Sequence, residues 1–267
     1  MMRPELFENS ALLKTEALGR NAVFLETVDS TNALAKRMAL EGCWHGQLVV
    51  SEHQTAGRGR RGRGWSDEKG QSICMSVVLR PPVAAELLPR YPIAAALGLC
   101  DAFFSLGVTA KIKWPNDLLY EGKKLSGILL EAGFCGGACF FVAGIGINVN
   151  QTSFCGEIKD TATSLRVAVG KELKRETVLC AALNAMEPVF SLCETDKGFE
   201  SILARYAPMS CTLQKTVDIM SESGVFRGVA EALDGLGRLM VRTGDGALVT
   251  VNAGDVSVRN AKQEQEG

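Results

Sequence analysis

Gly57-Arg58-Gly59-Arg60-Arg61-Gly62-Arg63-Gly64-Trp65 decides how the rest of the chain is read. Its glycines let the backbone approach a ligand closely, and the arginines between them carry planar forks that match phosphate and carboxylate oxygens. The stretch is built to hold an anion. An apolar run, Leu48-Val49-Val50, enters it, and the alternating residues Ile73, Met75, Val77 and Leu79 leave it, so it is predicted to join two strands. Glycines at 57, 59, 62 and 64 make such a loop costly to order, and it is expected to close only when an anion draws the arginines in.

Gly57, Gly59 and Gly62 also satisfy G-x-G-x-x-G, a dinucleotide fingerprint that needs a helix straight after it and an acid about 20 positions on. Arg63-Gly64-Trp65-Ser66-Asp67 is a poor helix start, and Val77-Val78-Leu79-Arg80-Pro81 offers no acid. A Walker phosphate loop fails as well, because Arg63-Gly64 stands where lysine and a hydroxyl residue are needed. Taken alone, the run reads equally as a solvated basic turn or as an arginine-glycine segment for nucleic acid.

Composition narrows these readings. A chain of 267 residues with 46% apolar residues and no low-complexity segment is globular, with one large domain or a large and a small one. No run approaches the roughly 18 apolar residues of a membrane span, and Arg3 and Glu5 interrupt any signal peptide, so a cytoplasmic protein is expected. Nine scattered cysteines without a C-x-x-C pair argue against a disulfide framework or a zinc site; Cys135 and Cys139 flank a Gly136-Gly137 hairpin turn. A net charge of -1 confines the positive field to the arginine loop, which weakens a general role with nucleic acid. With only His45 and His53, a Ser-His-Asp triad or a histidine metal site has little to work with.

Outward from the loop, Val23-Phe24-Leu25 begins a strand, and Asp29-Ser30-Thr31-Asn32 supplies N-cap residues for a helix through Leu34 and Met38 to Gly42. Ser30 or Thr31 has an ordinary capping role to play there; hydroxyls and amides at such a terminus also hydrogen-bond small polar ligands. Pro92 opens a helix whose core stripe is read as Ile93, Ala96, Leu97, Cys100 and Phe104. Lys111-Ile112-Lys113-Trp114-Pro115-Asn116-Asp117-Leu118 is a strand broken by proline, which projects Asn116 and Asp117 from a turn close to Lys123 and Lys124.

Ile128–Glu131 and Cys139–Asn148 read as strands, and Gly144 and Gly146 mark a close approach near Asn148. Two helices follow, one carrying Leu179, Leu183, Met186 and Phe190 around an unexplained Pro188, the other Phe199, Ile202, Leu203 and Tyr206. After Pro208 come short strands, Val217–Met220, Val225–Ala230, Leu239–Arg242, Leu248–Val251 and Val256–Arg259, joined by glycine- and aspartate-rich turns. They predict a small appended β-barrel of about 50 residues. The division is thus 1–208 and 209–267. Residues 1–22 hold at most one short helix, too little for a DNA-reading domain.

Together, Asp29-Ser30-Thr31-Asn32, the stretch Gln54 to Trp65, Lys113-Trp114-Pro115-Asn116-Asp117-Leu118 and Lys124-Leu125-Ser126-Gly127-Ile128-Leu129 resemble the biotin protein ligases. Gly146-Ile147-Asn148 and Gly254-Asp255-Val256-Ser257-Val258-Arg259 fit as well, so the resemblance runs from about residue 23 to 259. It implies an α+β catalytic domain with a mixed, mostly antiparallel sheet, related to lipoate ligases, followed by a small SH3-like barrel. It implies that biotin and ATP give biotinyl-5'-AMP with magnesium present, and that a lysine of a biotin carboxyl carrier domain then takes the biotin.

By position, the resemblance implies that Ser30, Thr31, Asn32 and Gln54 hold the biotin ring, and that Arg58, Gly59 and Arg60 wrap its carboxylate and the phosphate. Lys124 meets the carboxyl and the α-phosphoryl group. Trp65 and Arg61, with Asn116 and Asn148, serve the nucleotide. Lys113 and Asp117 take electrostatic roles, with Asp117 a candidate metal ligand or proton acceptor. A monomer or a homodimer without specific DNA binding is expected. A lipoate-type acyl ligase and a non-catalytic nucleic-acid module are the competing readings.

Overall fold

The computed structural model describes Met2 and residues 11–136, 138–221, 224–252 and 255–258. One sheet holds β1 (Ala22–Leu25), β2 (Leu48–Ser51), β3 (Ser72–Leu79), β4 (Lys111–Lys113), β5 (Asp117–Tyr120), β6 (Lys123–Cys135) and β7 (Ala138–Asn148), in the order β1-β2-β3-β7-β6-β5-β4. The β1–β2 pair is parallel and the others are antiparallel, which gives the mixed, mostly antiparallel sheet expected. The arginine loop joins β2 to β3 as predicted.

Side chains alternate faces along a strand, and β7 uses both. Phe141, Ala143, Ile145 and Ile147 enter the main core, while Phe140 and Val142 pack with Ala35 and Ala39 of α1 (Thr31–Leu40). Gly144 and Gly146 continue that second row, and there the first turn of α1, at Asn32, and the Trp65 indole approach the bare backbone. Where α1 begins and the strand carries no side chains, the sheet leaves room for these groups to form a site.

The other face is covered by α2 (Arg90–Ser105) and, after the short α3 (Leu165–Val169) that the sequence reading missed, by α4 (Arg175–Leu192) and α5 (Asp196–Tyr206). Phe104, assigned to the α2 core stripe, is 70% exposed, and Phe103 is the buried aromatic. Because α2 is buried nearly all round, its inward face carries no contrast in hydrophobicity by which the sequence could reveal it. Helix α4 runs through Pro188, which removes one backbone donor. Side chains just before the proline are anchored: Asn184 bonds Lys14 N and Leu12 O, and Glu187 accepts from Glu16, Ala17 and Leu18 N–H.

The C-terminal strands β8 (Thr216–Ser221), β9 (Gly224–Leu233), β10 (Leu239–Thr243), β11 (Leu248–Val251) and β12 (Asp255–Val258) form a five-stranded antiparallel sheet ordered β11-β10-β9-β8-β12. It is fastened to the β4–β5 turn by Trp114, whose Nε1 donates to Gly237 O at 3.0 Å, and to the start of α2 by Arg90, whose Nε donates to Gly235 O at 2.9 Å. Val217, Ile219, Leu239 and Val241 belong to the same apolar cluster as the large sheet. Gly137, Gly254 and Arg259, and residues 1 and 3–10 of the 1–22 stretch read as holding at most one short helix, lie outside the described residues.

Candidate active site

The N-terminus of α1 forms one wall. Ser30 caps the helix, its Oγ accepting from Ala33 N–H, and Thr31 donates both its N–H (2.8 Å) and its hydroxyl (3.1 Å) to Gln54 Oε1. Ser76 Oγ lies 2.6 Å from Asn32 Oδ1 and 2.8 Å from Thr31 Oγ1, while Asn32 Nδ2 donates to Glu131 Oε2 at 2.8 Å. This network fixes which way the Asn32 amide points. Sequence reading missed Ser76 and Glu131 as site residues, although each interrupts an apolar run of its strand.

The arginine loop forms the lid of this wall. It is closed on its own backbone by Trp65 N–H to Gly57 O (3.0 Å), Gly59 N–H to Arg63 O (2.7 Å) and Arg63 N–H to Arg60 O (3.2 Å), with Arg61 at φ 54° in a short turn. The glycines therefore do not leave the loop without structure; they let two strand-like arms approach. No helix follows, as the rejection of the dinucleotide reading requires. Trp65 lays its indole across Gly146 and Gly127, so that a Cβ at Gly146 would land on the ring. A Cβ at Gly144 would land on the Asn32 amide. The close approach that the glycines signal thus lies at Gly144 and Gly146 themselves, and what approaches is Asn32 and Trp65.

Gly144→Ala is accordingly expected to cost about 1–3 kcal/mol through overpacking. The unfolding midpoint should fall by roughly 2–12 °C in a chain of this size. A calorimetric scan that finds no change would mean that Asn32 yields without penalty.

The third wall comes from the β4–β5 turn and the start of β6. The Trp114–Pro115 bond is cis, and Asn116 is clamped to β6 by Ile128 N–H to its carbonyl (2.9 Å) and by its own Nδ2 to Ile128 O (3.0 Å). Its Oδ1 accepts from Arg60 Nη1 at 3.1 Å, which ties the loop to the turn. Lys124 Nζ lies 2.7 Å from Asp117 Oδ1 and 5.8 Å from the centroid of the Trp65 ring.

Ser30, Thr31, Asn32 and Gln54 thus face Arg58, Gly59, Arg60, Trp65, Asn116 and Lys124 around one cavity. Arg61, Lys113, Asp117 and Asn148 do not line it. Asp117 stands directly behind Lys124. Asn148 lies deeper, its Nδ2 donating to Thr163 O (3.0 Å) and Lys124 O (3.4 Å), so its amide serves the backbone that carries Lys124. The free space is only about 50 Å³. Ligand pockets commonly hold about 300–1,000 Å³, so a bound ligand has to displace the Trp65 indole or the loop. Among the described residues no group of three or more His, Cys, Asp or Glu side chains could hold a metal ion.

A site with buried amides and hydroxyls on one side and arginine and lysine on the other suits a neutral polar ring attached to an anion. The family described as biotin/lipoate A/B protein ligases matches residues 24–150, and the biotin protein ligase C-terminal domain matches residues 212–259. A biotin--[acetyl-CoA-carboxylase] ligase of Mycobacterium tuberculosis is 33% identical over 267 residues, covering 96% of each chain. A bifunctional ligase/repressor of Bacillus spizizenii is 35% identical over 238 residues, 88% of this chain and 73% of that one. The solved biotin protein ligase of Aquifex aeolicus in complex with biotin and ATP has 29% identity and a TM-score of 0.77, covering 91% of this chain and all of the other.

Proposed function

Given that the chain belongs to the biotin/lipoate A/B protein ligase family, we propose that it activates biotin with ATP as biotinyl-5'-AMP and transfers the biotin to a lysine of a biotin carboxyl carrier domain. The observation that carries this reading is the convergence of three distant stretches, 30–32, 54–65 and 116–124, on one cavity with polar recognition on one side and cations on the other. A nucleic-acid module would have no use for that enclosure.

Two anions must meet in the first step. A biotin carboxylate oxygen attacks the α-phosphorus, the bond to the bridging oxygen breaks, and pyrophosphate leaves. Arg58, Arg60 and Lys124 screen the approach and hold the reactants in line. In the second step the carrier amine attacks the carbonyl of the mixed anhydride and AMP leaves. Asp117, beside Lys124, is the candidate to receive the amine proton. Ser30, Thr31, Asn32 and Gln54 hold the ring, and Trp65 and Asn116 serve the nucleotide. Asn148 acts by setting the backbone of Lys124, and Arg61 and Lys113 add positive field from outside the cavity. Magnesium, when bound, would supply charge neutralisation at the phosphates, with Asp117 the candidate side chain to hold it.

Residues 1–208 would carry this chemistry and 209–267 the appended unit, a division supported by the separate match over 212–259. All nine cysteines are free. ATP–pyrophosphate exchange with biotin and with lipoate separates the two ligase readings, and the mass of a carrier domain after incubation with enzyme, biotin, ATP and magnesium tests transfer. Exchange supported by lipoate and not by biotin would overturn the assignment.

Arg60→Gly removes the anchor to Asn116, and it is expected to impair retention of the adenylate more than its synthesis. The variant should label lysines of a bystander protein more than wild type does. If it makes adenylate and labels no more, Arg60 is not a retaining contact.

A further inference from the structure

The Asp67 carboxylate lies under the loop and is 2% exposed. Its Oδ1 is 2.8 Å from His53 Nδ1, and its Oδ2 accepts from Gln54 N–H at 2.9 Å and from Cys74 Sγ at 3.2 Å. Groups from the segment that follows β2 (His53 and Gln54) and from β3 (Cys74) therefore converge on one side chain, two residues past Trp65. Nothing in the reaction just described uses it.

Gln54 is the residue whose side chain receives Thr31, and a Cβ on Gly57 would lie 3.1 Å from its Nε2 and 2.8 Å from the Trp65 carbonyl. Its backbone thus belongs to the anion loop, and its amide belongs to the wall that faces the cavity. A buried carboxylate that accepts a backbone N–H holds that backbone more firmly than a neutral acceptor does, because charge-assisted bonds are roughly twice as strong. Cys74 contributes as a donor. Burial first, and the neighbouring carboxylate second, push its thiol well above the ordinary range, so it keeps its proton and points it at Asp67.

We propose that Asp67 is the positioning residue for biotin recognition: by joining the exit of the arginine loop to Gln54 at its entrance, it presets the Gln54 amide for the biotin ring. It acts through Gln54 and touches no substrate. This inference rests on the biotin-ligase reading, and it is tested only in wild-type protein that supports biotin-dependent ATP–pyrophosphate exchange, so the two can fail separately.

The experiment is a cycle of Asp67→Ala, Gln54→Ala and the double variant, with biotin affinity measured by calorimetry and steady-state constants for biotin and ATP. Losing a buried partner should weaken biotin about tenfold in Asp67→Ala. If the two residues act as one unit, the double variant should fall within about threefold of Gln54→Ala alone. The KM for ATP should stay within about twofold of wild type, since only biotin binding is touched. Asp67→Asn keeps an oxygen for Gln54 N–H, so it should recover most of the affinity. Three results would overturn the proposal: unchanged biotin affinity in Asp67→Ala, lost turnover at unchanged affinity, or single losses that multiply in the double variant. The unfolding midpoint of each variant, with Asp67→Asn as the gentler change, separates misfolding from mispositioning.

Discussion

Replacing Lys124 with alanine is expected to slow adenylate formation by about 30- to 1,000-fold, the equivalent of roughly 2–4 kcal/mol of barrier. Its ammonium sits at the cavity wall with 39% of the side chain exposed, paired with Asp117 at 2.7 Å. A pair this exposed adds little to stability, so the variant should fold normally. The charge matters when negative charge develops on the oxygens around the α-phosphorus, and there a charge-assisted contact counts most. Loss of the ammonium also leaves the Asp117 carboxylate facing the incoming phosphates, which adds repulsion. Single-turnover rates at saturating ATP and biotin measure the step directly. A rate within a factor of a few of wild type would take Lys124 out of the chemistry.

Arg175→Ala is expected to cost about 3–5 kcal/mol of stability by leaving a buried carboxylate without its partner. Arg175 Nη2 lies 2.8 Å from Glu52 Oε2 with the two side chains 9% and 4% exposed, and its Nη1 donates to Ser72 O at 3.1 Å. Glu52 directly follows β2 and Ser72 begins β3, so the guanidinium holds together the two strands between which the arginine loop is hung. The unfolding midpoint should drop by roughly 6–20 °C. Removing both charges, as in Glu52→Leu with Arg175→Met, should recover much of that loss, because the penalty lies in the orphaned ion and not in the absence of a pair. A midpoint lowered by less than about 2 °C in the single variant would mean that water reaches Glu52.

Much of the site was legible because its signals are local. Ser30 caps α1 because a hydroxyl before an apolar helix satisfies an orphan N–H wherever the helix sits. The arginine loop joins β2 to β3 because apolar runs end on both sides of it, and Pro115 breaks a strand whatever surrounds it. It was the resemblance to biotin protein ligases that implied a common ligand for Ser30, Gln54, Arg58, Arg60, Asn116 and Lys124, and these six residues line one cavity. Tertiary structure decided the rest. Asn32 is oriented by Glu131, 99 positions away, and Trp114 reaches Gly237 across 123. Asp67 and Cys74 look like loop and core until the chain brings them beneath Gln54. Phe103 is buried and Phe104 is exposed because neighbouring elements cover the side of α2 that carries Phe103 and leave Phe104 uncovered. Periodicity and capping depend on the chain within a few residues of itself, so sequence carries them. A hydrogen-bond partner or a buried face depends on which distant element arrives, and only the packed molecule specifies that.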